Sequence, residues 1–450
     1  MYAIQTDSDW NLYDPNNTKK IASTVRAKDL WKKILTSYFE SGSPFLCFKD
    51  TANRANPNNH TGKIRSSNLC TEIFQNTEPD HYMTKLWVNG GTEYVLFEED
   101  DMVELQDGNM KVAKKITSLD TLADCAYMTN LGNSTDNRPG EPIAEVYNVE
   151  KERIAGTTAV CNLASVNLSK INTNEDLARV IPTAVRMLDN VIDLNFYPLK
   201  KVKDSNMNTR SIGLGVMGEA QMLAENQIMF GSQKHLDKID KVMEVFSYET
   251  INASANLAIE RGAYPDFKGS QWSKGTFPFD HANEEVFKLT TIDTSSEPEW
   301  SALANKIKST GVRNGYMMAI APTSSISILV GTTQAIEPVY KRKWFEENLS
   351  GQIPVVVPNL SPETWAYYVP AFEVNQLDIV KAASVRQKWI DQGQSTNIFM
   401  SLDKASGKYL HEIYTLAHKL GCKSTYYLRS QSPEAASDVA DRSQECSGCQ

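Results

Sequence analysis

Residues 317–327 read Met-Met-Ala-Ile-Ala-Pro-Thr-Ser-Ser-Ile-Ser, and this stretch decides the fold class that we predict. Its apolar half, Met317–Ile320, has the length of a buried parallel strand. The proline and the hydroxyl residues that follow predict the start of a helix, whose exposed backbone N–H groups can bind an anion. A cluster of ordinary helix-capping hydroxyls is the competing interpretation of residues 322–327.

Helical periodicity on both sides of this stretch favours an α/β fold. Apolar side chains recur every three or four positions from Leu177 to Ile192, and Pro182 is predicted to start or to kink that helix. A second long helix is predicted over 236–261, with Gly262 as its stop. Shorter helices are predicted over 22–41, 300–310, 377–391 and 405–420.

Between residues 80 and 150 the pattern changes to short alternating strands. Leu86–Val88 and Tyr94–Phe97 flank Asn89-Gly90-Gly91, which is a strong hairpin signal. A second turn, Asp107-Gly108, separates another alternating pair. We therefore predict a β-rich insertion here, and further strands over 45–48 and 64–74.

The composition limits the class of protein. The 450 residues carry 46 Lys and Arg against 55 Asp and Glu, a formal net charge of −9. This acidity argues against nucleic acid as the main partner, because phosphate binding needs a positive field. No apolar run reaches the roughly 20 residues that span a bilayer, so we expect a cytoplasmic protein without a membrane partner. An odd count of seven cysteines argues against a secreted disulfide scaffold.

Three chemically distinct residues alternate within the predicted strand 64–74. Asn68, Cys70 and Glu72 are spaced two apart, so a strand would point all three side chains to one face. An amide, a thiol and a carboxylate that converge could orient a substrate, supply a reactive sulfur and act as a general base. An edge strand with a polar face is the alternative interpretation.

Two other motifs are interpreted as structural. Gly213-Leu-Gly-Val-Met-Gly218 matches the dinucleotide-binding pattern, but no long apolar strand leads into it, which favours a close-packing glycine turn. His411, His418 and Cys422 lack the closely spaced ligand pairs of a zinc site, so we assign no metal.

The C-terminal region carries a second pair of thiols. Cys446-Ser-Gly-Cys449 lies in a polar stretch with no core to occupy, and two close exposed thiols suit thiol–disulfide exchange. A zinc half-site competes, but a second C-x-x-C is absent from the sequence. Tyr426 and Tyr427 are adjacent phenols that, taken alone, are ordinary strand aromatics.

In combination these segments resemble the large, catalytic subunit of class I ribonucleotide reductases. The resemblance covers nearly the whole chain apart from much of 80–150. The motifs that carry it follow the family's order: Ser67–Ile73, Ala159–Ser165, Trp300-x-x-Leu303 with Gly311–Asn314, Pro322–Ser327, Ile336–Pro338, Tyr426-Tyr427 and the C-terminal cysteine pair.

The resemblance implies part of a ten-stranded α/β barrel with a β-rich insertion and a flexible C-terminal tail. The barrel would comprise residues 1–79 and 151–430, the insertion 80–150, and the redox tail 431–450. Cys70 is similar to the cysteine that becomes a transient thiyl radical and removes the ribose 3′ hydrogen. Glu72 is similar to the base on the 3′-hydroxyl, and Asn68 to the amide that holds the sugar hydroxyls.

The same resemblance assigns the remaining site residues. Cys161 resembles one of two thiols that reduce the substrate and end as a disulfide. Tyr426 and Tyr427 resemble a stacked pair that relays the radical from a second subunit. Cys446 and Cys449 resemble the pair that re-reduces the active-site disulfide and is reset by thioredoxin or glutaredoxin. The backbone that would cradle the substrate diphosphate belongs to Pro322, Thr323, Ser324, Ser325 and Ile326. Ile326 stands where many relatives carry a hydroxyl residue.

The implied reaction is the reduction of ribonucleoside diphosphates to 2′-deoxyribonucleoside diphosphates, which are DNA precursors. The chain would bind no cofactor itself, and a metal-containing small subunit of the di-iron tyrosyl type would supply the radical. The family's second redox thiol and its amino-terminal nucleotide-binding domain have no counterpart in this sequence. We therefore expect the C-terminal catalytic fragment of a split, phage-type large subunit that needs a separate N-terminal fragment.

Two alternatives of other classes stay open. One is a non-catalytic remnant that binds partners, and the other is a simple thiol–disulfide oxidoreductase that uses only Cys446 and Cys449. A coenzyme B12-dependent or glycyl-radical relative would share the barrel. The tyrosine pair and the absence of a glycyl-radical motif favour the class I form.

Overall fold

The computed structural model describes residues 1–14, 17–88, 92–96, 102–104, 110–112, 146–291, 299–348, 351–401 and 405–431. Contacts divide the chain into two units. One unit takes in residues 1–76, 159–198 and the chain from 202 onward, and the other takes in 77–158 with 199–201. Helices alternate with strands along the first unit, so the predicted α/β class is confirmed.

The elements are numbered in chain order. The helices are α1 Tyr2–Gln5, α2 Ala27–Ser41, α3 Lys49–Arg54, α4 Asn174–Leu194, α5 Lys200–Thr209, α6 Glu219–Glu225, α7 Gln233–Arg261, α8 Gln271–Lys274, α9 Glu284–Phe287, α10 Trp300–Thr310, α11 Ser324–Val330, α12 Gln376–Gln387 and α13 Gly407–Lys419. The strands are β1 Asp9–Asp14, β2 Asn17–Arg26, β3 Leu46–Cys47, β4 His81–Val88, β5 Thr92–Leu96, β6 Met102–Glu104, β7 Met110–Val112, β8 Val146–Ile154, β9 Leu163–Asn167, β10 Gly213–Met217, β11 Lys343–Asn348, β12 Gly351–Val356, β13 Ile398–Ser401, β14 Ser424–Thr425 and β15 Leu428–Gln431. Short 3₁₀ helices lie at Leu168–Lys170, Pro265–Phe267 and Pro278–His281.

The two long helices form the centre of the core, as their periodicity predicted. The apolar stripe of α4 between Leu177 and Ile192 is buried, and α4 packs against α7. A capping box between Thr173 and Asp176 starts α4, so Pro182 lies inside the helix and does not begin it. Helix α7 ends at Gly262, the predicted stop.

Residues 317–320, from which we predicted the fold class, lie between two chain segments that run parallel to them. Strands β9 and β10 pair in parallel, and residues 317–320 continue the array through the bridges Leu214–Met318 and Ile320–Gln394. Met317–Ile320 is fully buried, as expected of a central strand, although it forms single bridges and no regular ladder. Asp391 fixes this segment, because its carboxylate accepts the N–H groups of Met317 and Met318 at 2.9 and 2.8 Å.

Three local predictions were wrong. Residues 22–26 belong to β2, which pairs with β1, and the helix begins only at Ala27. The strand at 45–48 is reduced to Leu46–Cys47, with Cys47 exposed. Residues 64–74 form no strand, because a residue with a left-handed backbone, Thr71 at φ 64°, interrupts the extended chain.

The glycine motif is a strand followed by a helix start. Residues 213–217 form β10, which is entirely buried, and Gly218 adopts φ 79° as the N-cap of α6. The close packing that we predicted is present at Gly215, where a Cβ atom would lie 2.3 Å from the carbonyl oxygen of Ala319. The turn that we predicted there is wrong.

The second unit contains the predicted hairpins. Strand β4 pairs with β5 and, on its other edge, with β8, both antiparallel. Strands β6 and β7 also pair antiparallel. The two predicted turns, Asn89-Gly90-Gly91 and Asp107-Gly108, lie outside the described residues. Within the described ranges of the whole chain, no helix has the length and apolar character needed to cross a membrane.

We predict that Gly215→Ala destabilises the first unit. The new methyl group would overlap the Ala319 backbone and push β10 away from residues 317–320, at a cost of about 1–3 kcal/mol. Urea denaturation followed by circular dichroism measures this loss. Gly407→Ala is the matched control, because a Cβ there meets no atom within 4 Å and the residue begins α13. Equal stability of the two variants would contradict the prediction.

Candidate active site

The three residues singled out between 64 and 74 converge through a turn. The side-chain oxygen of Asn68 accepts the backbone N–H groups of Glu72 and Ile73 at 3.1 and 3.0 Å, and its carbonyl accepts that of Thr71 at 3.2 Å. This folds residues 68–73, hereafter the Cys70 turn, back on themselves. The predicted convergence is therefore present, but the predicted cause, the two-residue period of a strand, is wrong.

Polar groups from distant parts of the chain hold the Cys70 turn in place. Three successive carbonyl oxygens each accept a hydrogen bond: that of Cys70 from the Ser395 hydroxyl at 2.6 Å, that of residue 71 from the Ser424 hydroxyl at 2.7 Å, and that of Glu72 from the Gly393 N–H at 2.8 Å. A non-glycine residue with positive φ is strained and persists where its surroundings over-determine it. The three hydrogen bonds on the carbonyls of residues 70–72 hold Thr71 in this conformation.

The side chains of the turn face a second thiol. The Asn68 amide nitrogen lies 2.9 Å from Glu72 Oε1 and 3.4 Å from Cys161 Sγ. The other carboxyl oxygen of Glu72 lies 3.1 Å from the Ser395 hydroxyl. Cys161 is exposed, Cys70 is partly buried, and Glu72 is only 1% exposed. An amide, a carboxyl and two thiols thus meet at one accessible point.

Desolvation raises the pKa values of Glu72 and Cys161 in this site. Desolvation raises the pKa of Glu72 above its usual 4.5, against the lowering effect of its hydrogen bonds from Asn68 and Ser395. The pKa of the Cys161 thiol is raised above 9.0, first by desolvation and then by the nearby negative charge of Glu72. Cys161 is therefore held as a neutral S–H group, and Glu72 is a stronger base than an exposed carboxylate.

The tyrosine pair extends the site on the other side of Cys70. The hydroxyl of Tyr426 lies 3.5 Å from Cys70 Sγ, and the rings of Tyr426 and Tyr427 have centroids 4.4 Å apart. Desolvation raises the pKa of Tyr426 well above 10, so its phenol stays protonated. Phe45 lies 4.7 Å from both rings, and Tyr38 donates its hydroxyl to the Tyr426 carbonyl. The pair thus forms a continuous aromatic path to the thiol.

Residues 322–327 start a helix, as predicted. Thr323 is the N-cap of α11, with φ 55°, and its hydroxyl accepts the N–H of Ala335 at 2.8 Å. Ser324, Ser325 and Ile326 make up the exposed first turn. Such a turn presents backbone N–H groups that have no partner within the helix. Binding of an anion there stays a prediction.

The histidines and cysteines outside the site have other contacts. His411 accepts the indole N–H of Trp31 at 3.0 Å, His418 packs against Phe48, and Cys422 is buried against Ser384. Among the described residues, no group of three potential ligands could hold a metal ion. Cys446 and Cys449 lie outside the described residues.

Sequence reasoning missed the buried polar segment between α12 and β13. Residues 393–397 read Gly-Gln-Ser-Thr-Asn, which a sequence pattern interprets as a surface loop, yet the segment is buried. Its Ser395 contacts the Cys70 turn. Its Asn397 accepts the Tyr427 N–H at 3.2 Å and is held by the buried carboxylate of Glu337 at 2.6 and 3.0 Å.

The comparison with known protein families bears on this arrangement. The model of the ribonucleotide reductase barrel domain matches residues 1–428. This chain belongs to the ribonucleotide reductase barrel family. The resemblance inferred from the motifs is thus confirmed, and the site described above lies within the matched barrel domain.

Curated ribonucleotide reductases give the extent of the similarity. The ribonucleoside-diphosphate reductase subunit alpha of Helicobacter pylori (strain ATCC 700392 / 26695) is 56% identical, with 99% of this chain and 57% of that protein covered. The subunits alpha of Treponema pallidum and Chlamydia muridarum are 36% and 34% identical over 91% and 92% of this chain, which cover 41% and 36% of those proteins. The chain thus spans about half the length, or less, of these relatives.

We predict that Glu72→Gln lowers the pKa of Cys161, because it removes the negative charge that opposes thiolate formation. Cys161 should then react faster with iodoacetamide at pH 8, measured by mass spectrometry of the labelled peptide. Glu249→Gln is the control, since Glu249 is a carboxyl with a similarly raised pKa on α7 outside the site. An unchanged or slower reaction of Cys161 in Glu72→Gln would contradict the electrostatic coupling.

Proposed function

We propose that this chain carries out thiyl-radical reduction of ribonucleoside diphosphates to 2′-deoxyribonucleoside diphosphates. The observation that supports it most directly is the contact series from Tyr427 through Tyr426 to Cys70. This series ends where Asn68, Glu72 and Cys161 meet. A non-catalytic remnant would have no need of a strained turn that brings a redox path and an acid–base group to one thiol.

In the proposed reaction the radical arrives at Cys70 along the tyrosine pair. A metal-containing small subunit, which we propose to be of the di-iron tyrosyl type, supplies it. Each step moves one hydrogen atom: Tyr426 loses its phenolic hydrogen to Tyr427, and Cys70 then loses its S–H hydrogen to Tyr426. The 3.5 Å contact between the Tyr426 hydroxyl and Cys70 Sγ supports the second transfer.

The sugar chemistry uses the residues on the other side of the turn. The Cys70 thiyl radical takes the ribose 3′ hydrogen atom, and Glu72 accepts the proton of the 3′-hydroxyl while Asn68 holds the sugar hydroxyls. The 2′-hydroxyl leaves as water with a proton from Cys161. Cys161 and a second thiol together provide two electrons and two protons and become a disulfide: one proton leaves in the water, and the other, with the two electrons, forms the new C2′–H bond. Glu72 returns its proton to the 3′ oxygen, and Cys70 returns its hydrogen atom to C3′. The raised pKa of Cys161 keeps its thiol neutral, which suits a proton donor.

Substrate binding would use the first turn of α11. In the proposal the backbone N–H groups of residues 323–326 hold the diphosphate, with Pro322 and the Ser324 and Ser325 side chains beside it. Exposure of this turn and the positive φ of its N-cap support an anion site. The segment is also linked to the site, because Ile320 donates its N–H to the carbonyl of Gly393 at 3.0 Å.

The partner thiol of Cys161 would come from a separate amino-terminal fragment. The structure describes three cysteines besides Cys161: Cys70 within the site, Cys47 beside Ser67, and Cys422 buried against Ser384. Neither of the last two has a contact with Asn68 or Glu72. In the same proposal Cys446 and Cys449 re-reduce the site disulfide and are reset by thioredoxin or glutaredoxin.

The first test is Cys70→Ser in the reconstituted complex of this chain, the N-terminal fragment and the small subunit. We expect deoxynucleotide formation to fall to background, because the phenoxyl radical of Tyr426 cannot convert a serine hydroxyl at position 70 into an alkoxyl radical. Cys47→Ser is the matched control, since the serine hydroxyl can keep the contact with Ser67. Unchanged product formation by Cys70→Ser would support the partner-binding remnant and reject our proposal.

The second test asks whether the fragment is required. This chain with the small subunit and thioredoxin alone should form no deoxynucleotide above background, because Cys161 without a second thiol cannot supply the two electrons that each product needs. Addition of the N-terminal fragment should restore multiple turnovers, measured by product per chain over time. Sustained turnover without the fragment would reject the split-chain proposal but leave the thiyl mechanism standing.

A further inference from the structure

We propose that Ser395 is a positioning residue that couples the protonation of Glu72 to the backbone of Cys70. The proposal deepens the function proposed above and rests on it. The single hydroxyl of Ser395 stands between two acceptors, the Cys70 carbonyl at 2.6 Å and Glu72 Oε2 at 3.1 Å.

The coupling between Glu72 and the Cys70 carbonyl arises because the Ser395 hydroxyl has one proton for two acceptors. A serine hydroxyl has one proton to donate, and the Cys70 carbonyl can only accept. When Glu72 is ionised, its carboxylate competes for that proton, and a charged acceptor is the stronger partner. When Glu72 is protonated, its O–H donates to Ser395 Oγ, and the Ser395 proton is then committed to the Cys70 carbonyl. The proton taken from the substrate therefore strengthens the bond that holds the thiyl residue.

The position of Ser395 is fixed well enough for this role. It is 1% exposed, and its own N–H donates to the carbonyl of Ile320 at 2.9 Å. Two residues earlier, Gly393 donates its N–H to the Glu72 carbonyl, and a Cβ on Gly393 would lie 2.5 Å from the ring of Phe74. The hydroxyl thus cannot move away from the turn without moving this packed segment.

Among the described residues, the titratable groups that face Glu72 are the thiol of Cys161 from the opposite segment and the thiol of Cys70 in the same turn, with the phenol of Tyr426 behind Cys70. The polar neutral groups are the Asn68 amide and Ser395 itself. Because the hydroxyl of Ser395 lowers the proton affinity of Glu72, its removal should raise that affinity.

The test compares Ser395→Ala with Thr396→Val. The Thr396 hydroxyl is buried and has no hydrogen-bond partner among the described residues, so the valine variant removes a neighbouring hydroxyl and keeps the backbone carbonyl that accepts the Tyr426 N–H. Ser395→Thr is a third variant that retains the hydroxyl. In the reconstituted complex, Ser395→Ala should lower kcat by about tenfold or more. It should also move the acidic limb of its pH profile to higher pH, because Glu72 binds its proton more tightly without the Ser395 hydroxyl. Thr396→Val should keep the wild-type profile, and a folded Ser395→Thr should regain it.

A second measurement needs no activity and so separates this inference from the proposed function. The rate at which Cys161 reacts with dithiodipyridine is followed from pH 4.5 to 8, where the ionisation of Glu72 appears as an inflection that Glu72→Gln abolishes. The inflection should move upward in Ser395→Ala and stay in place in Thr396→Val. An inflection at the wild-type pH in Ser395→Ala would overturn the inference, even if the complex is active. If the wild-type complex reduces no nucleotide but the inflection still shifts in Ser395→Ala, only the proposed function is overturned.

Discussion

The left-handed backbone of Thr71 is the constraint on which the site depends. A non-glycine residue in this region costs about 1–3 kcal/mol, and three hydrogen bonds of about 0.5–1.5 kcal/mol each, on the carbonyls of residues 70–72, offset that cost. The turn that results presents Cys70 at a tip. In a strand, the side chains of Asn68, Cys70 and Glu72 would all point in one direction. In the turn, Cys70 contacts Tyr426 on one side, and Glu72 and Cys161 lie on the other.

Burial gives the acid–base groups of the site their character. Glu72 and Cys161 both have raised pKa values, and desolvation is the largest cause for each. The carboxylate is therefore more basic, and the thiol keeps its hydrogen, as the proposed roles of a base on one hydroxyl and a proton donor to another require. Asn68 lies between them and hydrogen-bonds to both, so the same amide that shapes the turn also fixes the distance between base and donor.

Local signals predicted the parts of the fold that depend on local sequence. The stripe from Leu177 to Ile192, the stop at Gly262 and the hairpin at Asn89-Gly90-Gly91 need only neighbours within a few residues. The Cys70 turn could not be predicted in this way. Its two-residue spacing fits a strand as well as a turn, and the groups that decide between them, residues 393–395 and 424, lie more than 300 positions away. The convergence of Asn68, Cys70 and Glu72 could be predicted because a spacing of two brings their side chains together in either conformation, and their roles stay a prediction.

The segment 393–397 links the two halves of the site. Its first part holds the carbonyls of Cys70 and Glu72. Its last part holds the tyrosine pair, because the backbone carbonyl of Thr396 accepts the N–H of Tyr426 at 2.8 Å and the side-chain oxygen of Asn397 accepts that of Tyr427. The distance between the phenol and the thiol is therefore set by one short, buried piece of backbone. A displacement of that piece would move Glu72 and the tyrosine pair together, so the proposed base and the proposed radical path both depend on the hydrogen bonds that hold this buried polar segment.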